Sequence, residues 1–220
     1  MQYLYFPQTS SQIIITGDEH KYLFKVRRIK KGETINVRNL KDDYLYIYEI
    51  KDINKKEATA ILKEKILLPK KPEKFLHLAW CVIDPKNIEK TLPSLNEMGV
   101  SKISFVYCDY SQRNFKIKLE RLHKILINSN QQCGRSDLMQ IEIIPSSQEF
   151  FEKYPDFVAL DFDGKMIQCE NDFSTDTFFI GPEGGFSEEE RKKFKQKVRL
   201  RGFILRSETA ACAISAKILL

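Results

Sequence analysis

Residues 180–190 read IGPEGGFSEEE, and they decide the fold. The apolar stretch TFFIG (177–181) runs into them, and a helix opens at their end. Ser187 and Glu190 have the S-x-x-E spacing of a capping box, in which two side chains satisfy free amides of a first helical turn. Between strand and cap lie Gly181, Pro182, Glu183, Gly184 and Gly185. Proline fixes one backbone angle, and glycine, lacking Cβ, lets main chain approach a ligand closely. Open α/β sheets bind ligands at such strand-to-helix loops, outside the carboxyl ends of parallel strands. A tight turn without a ligand is the competing reading. The spacing is neither G-x-G-x-x-G nor G-x-x-x-x-G-K-[ST], so dinucleotide and P-loop readings lack support.

Around this loop, strands and helices alternate. FLHLAWCVI (75–83), KISFVY (102–107), IEII (141–144), FVALDF (157–162) and RGFILR (201–206) read as further buried strands. Helices are expected near 86–98, 119–133, 147–154 and 187–198, and from 207 onward. Pro93 is expected to kink its helix or mark the first turn. The alternation predicts an α/β unit, a mostly parallel sheet covered on both faces. Upstream, IIITG (13–17), ETINVRN (33–39), DYLYIYEI (43–50) and ATAILKEKIL (58–67) are rich in β-branched and aromatic residues, with turns at Gly17, Gly32 and Asp42-Asp43. That pattern predicts a small β-barrel. LLPKKPEK (67–74) reads as a linker, so two domains are expected, 1–70 and 75–220.

The chain is 42% hydrophobic and 30% charged, a globular balance that excludes disorder. No apolar run approaches the roughly 18 residues of a membrane span. MQYLYFPQTS does not resemble a signal peptide. Cys81, Cys108, Cys133, Cys169 and Cys212 are scattered, and His20, His77 and His123 are far apart. No disulfide framework and no zinc site are expected, and a reduced cytoplasmic protein fits. Residues 1–74 hold 16 Lys+Arg against 10 Asp+Glu, which is the whole net charge of +6. Within them HKYLFKVRRIKK (20–31) has six cations, no acid, and Tyr22 and Phe24 interleaved. Cations that release counterions from phosphates and aromatics that stack on bases suit a nucleic acid; a solvated basic face is the alternative.

Two more segments stand out. LRSETAACA (205–213) follows an apolar run, with Ser207 as the expected N-cap and Glu208 in the first turn. NSNQQCGRS (128–136) closes a helix at Gly134 and leaves Arg135 beside Gln131 and Gln132. By itself, each also reads as an ordinary helix terminus.

Together GPEGGFSEEE, LRSETAA, QQCGRS, NEMGVSKI (96–103) and HKYLFKVRRIKKGE (20–33) resemble, in that order, the bacterial 16S ribosomal RNA uridine N3-methyltransferases of the SPOUT superfamily. The resemblance covers nearly the whole chain. It implies an N-terminal PUA-like β-barrel that binds RNA, and a C-terminal SPOUT α/β domain with a trefoil knot. It implies S-adenosylmethionine as cofactor, no metal, a homodimer, and 16S ribosomal RNA or the small ribosomal subunit as partner. On this basis Leu160, Ile180, Gly181, Gly184, Gly185, Leu200, Leu205, Ser207, Thr209 and Ala210 are the candidate cofactor residues. His20, Lys25, Arg27, Arg28 and Lys31 are the candidate RNA contacts. N3 of uridine carries a weakly acidic proton, which the enzyme must remove or whose anion it must stabilise; a carboxylate could act as base and an arginine could hold the ring oxygens. Arg113, Arg135, Glu183, Arg206 and Glu208 are the candidates for those roles. The rivals are a SPOUT enzyme acting on another RNA atom, such as a ribose 2′-hydroxyl, and a non-catalytic RNA-binding assembly protein.

Overall fold

A computed structural model describes residues 2–167 and 175–220, so Cys169 lies outside the described residues. The chain divides into two compact units, Met1–Lys71 with Ile127–Leu138, and Pro72–Leu126 with Met139–Leu220.

The first unit contains β1 (Leu4–Tyr5), β2 (Gln12–Thr16), α1 (Gly17–His20), β3 (Thr34–Arg38), β4 (Tyr44–Ile53) and β5 (Glu57–Leu67), with a π-helical stretch at Lys21–Val26. The strands form one sheet in the order β1-β3-β4-β5-β2, antiparallel except for the parallel β1–β3 pair. Period-2 patterning sets which face is buried. In β2, Ile13 and Ile15 are buried while Ile14 is exposed. In β4, Tyr46, Tyr48 and Ile50 point the same way into a core shared with Leu23, Ile35 and Val37. The β4–β5 register shifts between Ile47 and Tyr48 and again between Ile50 and Asp52, irregularities that bend a long hairpin. β1 is two residues long, too short for any sequence period to reveal.

Residues 127–138 complete this unit through hydrogen bonds that the sequence did not announce. The Gln2 amide donates to the Gln131 carbonyl at 2.7 Å, the Tyr5 amide to Gln131 Oε1 at 2.8 Å, and the Tyr3 hydroxyl to the Arg135 carbonyl at 2.7 Å. Gly134 has φ +91°, and a Cβ there would meet Gln2 at 3.2 Å. The positive φ favours glycine at this turn.

The second unit contains β6 (His77–Cys81), α2 (Pro85–Met98), β7 (Lys102–Val106), the first part of α3 (Leu119–Cys133), β8 (Gln140–Ile144), α4 (Ser147–Lys153), β9 (Val158–Met166), β10 (Thr177–Ile180), α5 (Glu188–Arg191), β11 (Gln196–Arg199) and α6 (Ser207–Leu219). Its sheet is wholly parallel in the order β11-β9-β10-β6-β7-β8. Every residue of β6 and of β10 is buried, as expected where helices cover both faces. The neighbours β6 and β10 are far apart in sequence, and such adjacency marks where a doubly wound sheet opens a crevice. Among the described residues, no helix is long and apolar enough to cross a membrane.

Three expectations need correction. The helix read over 187–198 is a single turn, α5, and Gln196–Arg199 instead forms the edge strand β11 on β9. A Cβ on Gly164 would lie 2.5 Å from Val198 backbone, so glycine is what lets these strands close up. RGFILR (201–206) is not a strand: Phe203 is 96% and Ile204 81% exposed. The cysteine spacing also misled, since Cys81 and Cys108 form a disulfide with Cα atoms 5.7 Å apart. Cys81 pairs with Val106 across β6–β7, which brings the residue two further on within reach. Pro85 sits in the first turn of α2, and Pro93 lies inside the same helix.

Polar groups interrupt the parallel sheet in one network. His77 and Thr177 are register partners, as are Ser104 and Glu142. Ser104 donates to Glu142 Oε1 at 2.5 Å, so its oxygen accepts from His77 Nε2 at 2.6 Å, and His77 Nδ1 lies 3.2 Å from the Thr177 hydroxyl. The imidazole is thereby satisfied as a neutral ring. Burial first, then nearby Lys102, pushes its pKa down to about 4. Burial would raise the Glu142 pKa, but bonds from Lys153, Ser104, Tyr154 and Lys102 prevail and hold it at about 2. For both groups the unfolded chain takes up protons before the folded one. The stability contributed by a neutral His77 is complete above its ordinary value near 6.5 and lost as pH falls towards 4, by roughly 3 kcal/mol. Glu142 adds a further loss below its ordinary value near 4.5. Denaturant unfolding at stepped pH measures this. Equal stability at the two ends of the His77 window would contradict it.

Candidate active site

The loop after β10 is built from its two ends. At its start the Gly181 carbonyl accepts the Ser207 hydroxyl at 2.6 Å, and Ser207 Oγ in turn accepts from the buried Trp80 indole at 2.8 Å. Ser207 therefore is not the N-cap of α6, as the sequence suggested. Arg206 holds that position without a side-chain bond, and Ser207 ties α6 to the loop instead. At its far end the expected capping box is complete: Ser187 Oγ accepts from the Glu190 amide and Glu190 Oε2 from the Ser187 amide. Between them Gly185 has φ +73° and donates to the Pro182 carbonyl at 2.9 Å, a tight turn that favours glycine. A Cβ on Gly181 would meet the Phe186 ring at 3.2 Å.

Behind the loop, Arg191 forks onto Asp161 with Nε and Nη2 at 2.8 and 3.2 Å. This bond raises the guanidinium pKa. The Asp161 side chain is almost fully buried, and an unpaired carboxylate there would be strongly destabilising. The pair locks α5 against β9.

Three segments of the second unit enclose a cavity of about 490 Å³: Leu160–Phe162 of β9, the Ile180–Phe186 loop except Gly184, and residues of the 198–210 stretch. Of the candidate cofactor residues, Leu160, Ile180, Gly181, Gly185, Leu200, Leu205, Ser207 and Ala210 line it. Gly184 and Thr209 do not; Gly184 faces Tyr110, whose Cβ lies 3.2 Å from where a glycine Cβ would stand. Asp161 and Phe162 line the cavity and escaped the sequence reading, and Phe203 and Ile204, read there within RGFILR, line it too. Exposed Phe203 and Ile204 give it an apolar rim.

The candidate catalytic residues separate. Glu183 and Arg206 line the cavity. Glu208 lies in the first turn of α6 outside the lining, with Oε2 buried and without a hydrogen bond among the described residues. Arg113 is exposed on the loop after β7. Arg135 belongs to the first unit, where it is buried and forks onto Asp137 at 2.8 and 2.9 Å.

The basic segment belongs to the first unit. Lys25, Arg27, Arg28 and Lys31 are exposed, on or just after the π-helical stretch, and Arg28 takes φ +58°. A non-glycine residue with positive φ, beside a π-turn, marks a local conformation held against its own preference. His20 differs: it is buried, with Nε2 3.0 Å from the Asn54 carbonyl and its ring 4.8 Å from Phe24.

A family profile described as an RNA methyltransferase domain matches residues 69–219, and one described as an RNA methyltransferase PUA domain matches 15–63. The chain belongs to the RNA methyltransferase family. A member from Helicobacter pylori, ribosomal RNA small subunit methyltransferase E, is 44% identical over 98% of both chains. A family member of the same name from Aquifex aeolicus is 26% identical over 97% of both. Among solved structures of the family, ribosomal RNA small subunit methyltransferase E from Neisseria gonorrhoeae bound to S-adenosyl methionine superposes with TM-score 0.77. It is 22% identical, over 98% of this chain and 95% of that one, and the likeness is one of fold.

Proposed function

We propose that this member of the family uses S-adenosylmethionine to methylate N3 of a uridine in 16S ribosomal RNA of the small subunit. The observation that carries the reading is the cavity where the Gly181–Phe186 loop meets the 198–210 stretch. Its volume suits a small-molecule site, its walls are largely apolar, and glycines open backbone amides and carbonyls to a ligand. Leu160, Ile180, Gly185, Leu205 and Ala210 would hold the adenosyl part, and Phe162, Phe203 and Ile204 would cover the mouth. The bound cofactor supplies an electrophilic methyl group on a sulfonium. The chain's own residues do the rest. Glu183 takes the N3 proton, and Arg206 holds the ring oxygens onto which the anionic charge spreads. Methyl transfer to N3 would need the chain to align the reacting atoms more than to supply covalent help.

The basic stretch Lys25–Lys31 of the first unit grips RNA phosphates. In the same reading the enzyme works in the cytoplasm as a homodimer, supported by the exposed Phe203 and Ile204 and the small residues of α6. The trefoil knot belongs to the same reading.

Methylation of undermethylated small subunits with labelled cofactor, followed by nucleoside analysis, tests this. Label in N3-methyluridine is expected, with Glu183→Gln lowering turnover about a hundredfold at unchanged cofactor affinity. Label in a 2′-O-methylnucleoside, or full turnover by the variant, would overturn target or base. Sedimentation as a monomer at micromolar protein would remove the dimer.

A further inference from the structure

The capping box of α5 has two valences left over, and both go to one residue. Ser187 uses its oxygen for the Glu190 amide and donates its hydroxyl hydrogen to Asp109 Oδ2 at 2.5 Å. Glu190 uses Oε2 for the Ser187 amide and accepts the Asp109 amide on Oε1 at 3.1 Å. Next to Asp109, Tyr110 packs against Gly184 with no room for a Cβ of ordinary clearance between them. The chain after β7 is thus docked side by side with the glycine loop.

That chain segment carries Arg113, and it is closed at its own base. The Tyr107 hydroxyl donates to the Phe115 carbonyl at 2.7 Å. The Ser111 amide donates to the Cys108 carbonyl at 3.0 Å, and the Phe115 amide to the Gln112 carbonyl at 3.1 Å. Cys108 itself is buried and bonded to Cys81. Arg113 therefore stands exposed at the tip of two consecutive turns, which are tied to the α5 capping box through Asp109 and packed on Gly184 through Tyr110.

We infer that Asp109 is a positioning residue, which fixes the Arg113 loop as an RNA-contacting arm at a set distance from the cofactor loop. The inference rests on the reading of residues 180–186 as that cofactor loop. Cofactor held by the glycine loop and RNA held by Arg113 then share one rigid support, and misplacement of either by an ångström costs rate rather than cofactor binding.

Asp109→Ala, Asp109→Asn, Arg113→Ala and the Asp109→Ala/Arg113→Ala double variant test this, each assayed where circular dichroism shows it folded. Asp109→Ala should lower kcat on small subunits about tenfold, with cofactor affinity by calorimetry unchanged within about twofold. Asp109→Asn, whose carbonyl still accepts the Ser187 hydroxyl, should recover most of the rate. In the Arg113→Ala background, the Asp109→Ala change should add less than about twofold, because it acts through Arg113. Wild-type kcat in Asp109→Ala, a parallel loss of cofactor affinity, no recovery by Asp109→Asn, or full additivity with Arg113→Ala would each overturn it. Cofactor affinity that survives Gly185→Val is a different failure, of the cofactor-loop reading itself.

Discussion

Gly185→Val is expected to abolish S-adenosylmethionine binding while leaving the protein folded. Gly185 has φ +73° and lines the cavity, and its amide closes the turn onto Pro182. A β-branched residue is strained at that angle by about 1–3 kcal/mol, so the turn opens and the loop's amides leave their positions. Affinity should fall by about two orders of magnitude or more, since each 1.4 kcal/mol is roughly tenfold and the cavity wall is lost with the turn. The core is spared. The nearest atom to an added Cβ is Arg191 Nη2 at 3.7 Å, an ordinary van der Waals contact. Calorimetric titration beside a thermal melt measures both halves. Unchanged affinity in a folded variant would remove the loop from the cofactor site.

The second large effect concerns RNA. Neutralising Lys25, Arg27, Arg28 and Lys31 together should weaken binding to ribosomal RNA about a hundredfold and flatten its salt dependence by up to about 3 log units per log unit of salt. The first 74 residues carry all of the net positive charge, and these four side chains are exposed on one basic stretch. None of them lines the cavity, so cofactor affinity should hold. Wild-type affinity and salt slope in the quadruple variant would make the stretch a solvated face, and RNA recognition would then be sought near Arg113 and Arg121.

The parts of the fold that were legible in the sequence are those where a local rule acts alone. β2 alternates because one face is buried, and α3 stops at Cys133 because Gly134 can take positive φ. The Ser187–Glu190 capping box is local too, and its spacing gave it away. What failed was non-local. β11 carries two charges in Gln196–Arg199 and is a strand because β9 accepts it at the sheet edge, not because QKVR has a strand pattern. RGFILR looked like a buried strand because it is apolar, yet its apolar residues form the rim of a cavity. Asp161–Arg191, Asp109–Ser187 and Cys81–Cys108 join residues many positions apart, and no spacing rule connects them. The one available signal was an acid, Asp161, in the middle of the apolar run FVALDF. Buried carboxylates need partners, so that residue asked for a cation the sequence did not point to.

The measurement that bears most directly on the proposed function is mass spectrometry of nucleosides from 16S ribosomal RNA of cells lacking this chain, with and without the gene restored. The expected result is one N3-methyluridine lost on deletion, regained with the wild-type chain, and not regained with Gly185→Val. An unchanged N3-methyluridine content in the deletion strain, or a lost ribose methylation in its place, would contradict it.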